Sequence, residues 1–284
     1  MAFDVNELVL DKVRSLTAHD LASGEMLFRL TSLEDPSLSC TAESEEVVDA
    51  IGALITTLYR AKKATFSASN SLISLDLAAA QYGTKKEVAS ATSKIEVPTY
   101  EILTVSGGKV IPKKMPTATT VMVDGVATKV YNIDYIYTLE SNEIGTSYAQ
   151  DTTGTAATET KFIVSEVKDD KQVVTGVEIT VPTGVENGTK IYVEYKYETE
   201  NANRIVNKTS QFPESCSMKI YAYFRDKCND NLVYSGVIVS PKAKLNPEQV
   251  ELALTSTGKH AFEFTMMRDY CDEDAELFSI IVAQ

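Results

Sequence analysis

The chain has 284 residues, 44% of them hydrophobic and 24% charged, a balance that suits a folded protein and excludes a wholly disordered one. Lys and Arg total 27 against 40 Asp and Glu, a net charge of −13, which argues against a protein that grips nucleic acid, since that needs cations to displace counterions. No apolar run approaches the roughly 20 residues of a membrane helix, and the start MAFDVNE has no basic n-region, so the expectation is a soluble, intracellularly made chain.

In chain order, residues 1–18 come first. They space Val5, Leu8, Val9, Val13 and Leu16 so as to pack on a neighbour, or else form an ordinary first helix or a frayed terminus. Residues 45–60 fit two templates. Val47, Val48, Ile51, Leu54, Ile55 and Leu58 make a helical stripe with Glu45 and Glu46 in its first turn, yet Gly52, Thr56 and Thr57 interrupt it and alternation resumes through Ala64, Phe66 and Ala68. The reading adopted is a strand from about Leu54 to Ser67. Asn70-Ser71 can cap a short helix over Leu72–Tyr82, stopped by Gly83.

From about residue 119 period-two alternation dominates. In Ile191–Glu198 one face reads Ile, Val, Tyr, Tyr and the other Tyr, Glu, Lys, Glu, which marks a half-buried antiparallel strand. The pattern recurs in Phe162–Val167, Val173–Val181, Met218–Arg225, Leu232–Val239 and Ala261–Met267. Asp124-Gly125 and Asn187-Gly188 are hairpin signals, Asp169-Asp170 marks a further turn, and Gln150–Thr160 reads as a mobile loop. The fold class is therefore mainly antiparallel β.

Charge divides the chain unevenly. Residues 1–117 carry 12 basic and 15 acidic side chains, residues 118–203 carry 6 and 14, and residues 204–284 carry 9 and 11. This division predicts a β domain from 1–117 plus 204–284 and an acidic, strand-rich segment at 118–203, inserted as a separate module or a large loop.

The chemistry-bearing residues point away from catalysis. Cys40, Cys216, Cys228 and Cys271 form no C-x-x-C pair, and His19 and His260 lie far apart; the thiols are expected free and no zinc site is expected. His260 follows Gly258-Lys259 and reads as a solvated turn histidine, with no G-x-S-x-G elbow in the chain. The acidic groups Glu43, Glu45, Glu46 and Asp49, and Asp272, Glu273 and Asp274, have the residue types for general acid–base work. A chain without Trp lacks the usual indole platform of a sugar cleft, and a solvated face or capping role fits these groups better. Cys228-Asn229-Asp230-Asn231 does not complete an EF-hand, and no glycine-rich nucleotide cradle exists. Lys62-Lys63, Lys85-Lys86 and Lys113-Lys114 are dispersed among acids, as edge-strand protection or subunit ion-pair partners. No catalytic, cofactor or metal residue is assigned.

Three passages carry a family resemblance. Gly24–Leu30 followed by Leu33–Leu38 looks like an early strand pair leading into acidic Thr41–Glu46. Ile55–Ala64 followed by Asn70–Gly83 looks like a strand feeding a lone helix. Tyr195–Tyr197, Phe212-Pro213, Met218–Phe224 and Gly236–Leu245 look like late strands with a P-x-A-K-L entry to a closing hairpin. Their order resembles the major tail tube protein of tailed bacteriophages, over most of 20–117 and 204–284 and least over 118–203. The resemblance implies a β-sandwich or barrel with one flanking helix and no catalytic residues. It also implies six copies in a ring, rings stacked into a genome-conducting tube of the virion tail, and tail sheath, tape measure and tail terminator proteins as partners. On that reading 118–203 sits outside the ring, as an Ig-like decoration or as a sheath- or host-facing elaboration. The alternative is a β-sandwich adhesin or virion-surface decoration protein that binds host glycans.

Overall fold

A computed structural model describes residues 7–123, 125–153, 156–227, 231–255, 258–268 and 275–283. The first part of the chain forms β1 (Leu8–Asp20), β2 (Met26–Leu30), β3 (Leu33–Val48), β4 (Leu54–Asn70), the α-helix α1 (Leu75–Tyr82), which is the only one among the described residues, and β5 (Glu87–Val88). The middle forms β6 (Ile95–Thr104), β7 (Lys109–Val110), β8 (Ala118–Val123), β9 (Val126–Tyr131), β10 (Tyr135–Glu140), β11 (Glu143–Gln150), β12 (Lys161–Lys168), β13 (Val174–Thr180), β14 (Lys190–Thr199) and β15 (Asn203–Arg204). The last part adds β16 (Ser215–Asp226), β17 (Val233–Leu245), β18 (Glu251–Leu252), β19 (His260–Met266) and β20 (Ser279–Ala283). The protein is mainly β with antiparallel sheets, one curled into a half-barrel, as the alternation predicts.

Two compact units result: residues 1–87 with 205–284, and residues 88–204. Residues 88–117, which the charge division places with the flanking parts, belong to the inserted unit. The reason is β6, which pairs with β14 from Ile95↔Thr199 to Thr104↔Lys190. Charge follows sequence composition, whereas a unit boundary follows the ladder.

In the unit built from the chain's two ends, the sheet runs β2-β1-β16-β17-β19-β4-β3, with β18 on β19 and β20 on β17. From Leu8 onward the N-terminal segment is thus a strand and not a helix; Val5 lies outside the described residues. Leu16 opposes Ile220 and Ala18 opposes Met218, and these four side chains are buried. Alternation puts Phe66, Phe262 and Phe264 on the same inward face; Phe28 and Phe264 stack with centroids 6.4 Å apart. Helix α1 lays Leu77 on this core. Its cap is Ser74, whose Oγ accepts from the Leu77 N–H at 3.3 Å, three residues later than Ser71. Asn70 is still in β4, paired with Leu33 and His260, so the helix begins only after the chain has left the sheet. It ends at Gly83, as predicted, with φ +66°.

In the inserted unit the order is β6-β14-β10-β11-β12-β13-β7, with β8 and β9 a separate hairpin. Only β11 and β12 run parallel within this sheet. Ile133, Ile136, Phe162, Ile179, Ile191, Val193 and Tyr195 form the core. β8 and β9 pair out to Val123↔Val126, on either side of the Asp124-Gly125 hairpin signal; Asp124 lies outside the described residues. Asn187-Gly188 is a turn, with Gly188 at φ +90°, but not a hairpin: β13 pairs with β12 and β7, and β14 with β10 and β6. The Asn187 side chain is used instead to accept the Gly108 N–H at 3.1 Å. In the Gln150–Thr160 connection Asp151 Oδ1 accepts from the Thr153 N–H and hydroxyl, and residues 154 and 155 lie outside the described set.

Candidate assembly surface

The distal halves of β3 and β4 leave the core together. They pair from Thr41↔Lys63 to Val48↔Leu54, and of these strand residues only Val47 and Thr57 are half-buried, the rest being exposed. The strand expected from Leu54 is present, but as part of an arm. At its tip Asp49 Oδ1 accepts from the N–H groups of Ile51 and Ala53, and Gly52 supplies the left-handed residue at φ +84°. Ala61, at φ +48°, sits at the irregularity that shifts the register between Thr41 and Glu43.

Both long margins of this arm are open among the described residues. β4 pairs with β19 only through Ala64–Asn70, and β3 forms the end of the sheet. Neither face is covered. Ile51 is 90% exposed and Tyr59 74%, with Leu54 and Ile55 also exposed. A two-stranded ribbon is at best marginal in water, and unpaired apolar strand margins template association with another chain. Two further margins of the same sheet are open among the described residues. β2 covers β1 only along Leu16–His19, which leaves Val9 and Leu10 exposed, and β20 carries exposed Ile280 and Ile281.

The residues singled out from sequence distribute as follows. Glu43, Glu45, Glu46 and Asp49 all lie on the arm, where Glu45 meets Arg60 at 3.0 Å. Both side chains are mostly exposed, so the pair contributes little. Lys62 and Lys63 follow Arg60 on β4, giving the arm an acidic and a basic strand. Lys86 pairs with Asp76 at 2.5 Å. The Lys113 and Lys114 N–H groups donate to the Glu101 carboxylate and the Tyr195 hydroxyl. Asp272, Glu273, Asp274, Cys228 and Cys271 lie outside the described residues.

His19 bonds Thr17 and the Gly24 carbonyl. His260 is not a solvated turn residue. It opens β19 on the inward face and is fully buried, because strand parity puts it in line with Phe262 and Phe264. Cys40 is exposed and Cys216 buried, and both are free; burial, with Asp20 nearby, pushes the Cys216 thiol up to about 12, where it is unreactive. Among the described residues no group of three or more His, Cys, Asp or Glu side chains is placed to hold a metal ion, and no helix is long and apolar enough to cross a membrane. The arm's isolation could be suspected in sequence only from the conflict between helical and strand periodicity over residues 45–60, since a segment packed on neither face is under no pressure to keep one period.

A family model described as the YomU/Tube protein family matches residues 123–277. The match takes in the stretch where the tail tube resemblance is weakest, and the tube in the family's description agrees with that resemblance. No curated protein matches the chain. A tube family implies a structural component of the phage tail that assembles with itself, a role that is typically non-enzymatic. With more than half its length matched, the chain belongs to the YomU/Tube protein family.

Proposed function

We propose that this chain is the subunit of a bacteriophage tail tube, forming rings of six copies that stack into a filament whose bore conducts the genome during ejection. The observation that carries the reading is the β3–β4 arm: a ribbon with two free margins and apolar side chains in water, which a second copy would cover. A closed ring satisfies such margins without leaving an edge, through a heterologous interface repeated by rotation. The acidic balance suits a conduit, because a wall of net negative potential keeps phosphates from adhering. Only carboxylates within about 8 Å of the polymer act strongly at physiological salt. Sheath, tape measure and terminator proteins are the partners this role would require. The inserted unit would sit outside the ring as a separately folded decoration.

Electron microscopy of the purified full-length protein, with and without seeding by preformed filaments, tests the proposal. Rings or filaments of uniform diameter with a central hole are expected. A protein that remains monomeric at high concentration even after seeding would overturn it.

A further inference from the structure

The inserted unit carries a second surface feature, on the β6-β14-β10 portion of its sheet. On the outward face of the β6-β14-β10 portion, four tyrosines follow one another across three strands. Tyr100 and Tyr192 have ring centroids 5.4 Å apart, Tyr192 and Tyr137 6.2 Å, and Tyr137 and Tyr135 6.5 Å. They are outward by register: Tyr137 opposes Tyr192, while the alternate residues Ile136 and Val193 are fully buried. Tyr100 is 62% exposed and Tyr135 51%. Tyr100 and Tyr192 stack on each other, while Tyr135 keeps about half of its surface in water.

Beside this row lies a cleft of about 600 Å³, with Tyr135, Tyr137 and Pro98 in its lining and a size in the range of small-molecule sites. Three carboxylates, Glu96, Asp134 and Glu194, and one cation, Lys196, share it. Lys196 and Glu96 approach to 3.9 Å. Asp134 and Glu194 have no side-chain hydrogen bond or ion pair among the described residues, so the cleft keeps two uncompensated negative charges. They are not gathered as ligands of a metal ion. Dispersed negative charge beside aromatic faces suits a bulky cation whose charge is spread over carbon. Such a cation is drawn to the negative face of an aromatic ring within about 6 Å of its centroid and is cheap to remove from water compared with a compact one.

We propose that this cleft binds an organic ammonium group, held against Tyr135 and Tyr137 and neutralised by Asp134 and Glu194. Its anionic lining disfavours phosphate and carboxylate ligands, and the proposal is independent of whether the chain forms tubes.

Choline and its uncharged carbon isostere 3,3-dimethyl-1-butanol separate charge recognition from plain apolar contact. Binding to the full-length protein is followed by saturation-transfer NMR on the ligand methyl groups at constant ionic strength. Saturable choline binding is expected, with the isostere at least ~10-fold weaker. Tyr137→Leu should weaken choline by about 2- to 30-fold, the span of a cation–π contact. The near-isosteric Asp134→Asn/Glu194→Gln pair, checked for an unchanged circular dichroism spectrum, should weaken choline binding and reduce the preference for the charged ligand. Equal binding of choline and the isostere, choline binding unaffected by the Asn/Gln pair, or no saturable binding would each overturn the proposal.

Discussion

His260 Nε2 lies 2.6 Å from Gln81 Oε1, joining the start of β19 to helix α1 inside the core. The opposite ring nitrogen, Nδ1, accepts the Ser74 N–H at 3.4 Å, so the proton sits on Nε2 and the imidazole is neutral. Gln81 completes the link by donating to the Ala261 carbonyl at 3.0 Å.

This link makes stability depend on pH. Burial lowers the pKa of His260 below the ordinary 6.5, and a protonated Nδ1 would turn a donor toward the Ser74 N–H. A depressed native pKa means that the unfolded chain binds the proton more readily. His260's contribution is therefore intact above about pH 6.5 and falls as pH drops from there through the native value. Thermal melts between pH 7.5 and 5 should show a falling Tm, and His260→Gln should flatten that dependence over the same window. A wild-type Tm that does not fall would refute the assignment.

A second internal link closes the inserted unit. Tyr195 donates its hydroxyl to Glu101 and accepts the Lys114 N–H at 3.3 Å. Burial, reinforced by the bond to Glu101, raises its pKa well above the ordinary tyrosine value. Tyr195→Phe removes the hydroxyl and leaves Glu101 with only the Lys113 N–H. The expected loss is about 1–3 kcal/mol, measured by urea unfolding with the m-value unchanged.

At Gly83 the cost is steric. A Cβ there would lie 2.1 Å from the Phe212 carbonyl oxygen, and φ is +66°. Gly83→Ala should destabilise by more than about 1 kcal/mol, against the gain that the same change gives at a permissive site. Denaturant titration decides the sign.

The arm offers the opposite case, a substitution without cost to the fold. Ile51 is 90% exposed at the tip, so Ile51→Asp should change the stability of the isolated chain by no more than about 0.5 kcal/mol. The same change should prevent filament formation in electron micrographs. Filaments forming as readily as in the wild type would exclude the arm tip from the contact.

The sequence by itself determined the β class, the lone helix with its Gly83 stop, and strands such as Ile191–Glu198. Each depends on local alternation or capping, which neighbouring residues specify on their own. The resemblance to tail tube proteins was likewise legible, because it rests on the order of such elements. Tertiary structure decided what depends on partners far away in the chain. Leu16 meets Ile220, far away in the sequence, which makes the segment from Leu8 a strand. Asn187-Gly188 turns between strands that never pair, so the hairpin signal misleads there. Gln81 makes a core residue of His260, which its local Gly-Lys context marks as a turn. The solitude of the β3–β4 arm and the tyrosine row beside Asp134 and Glu194 belong to the same class. Exposure and clustering are properties of how elements are placed in space, and a one-dimensional pattern records only which side of its own strand a residue takes.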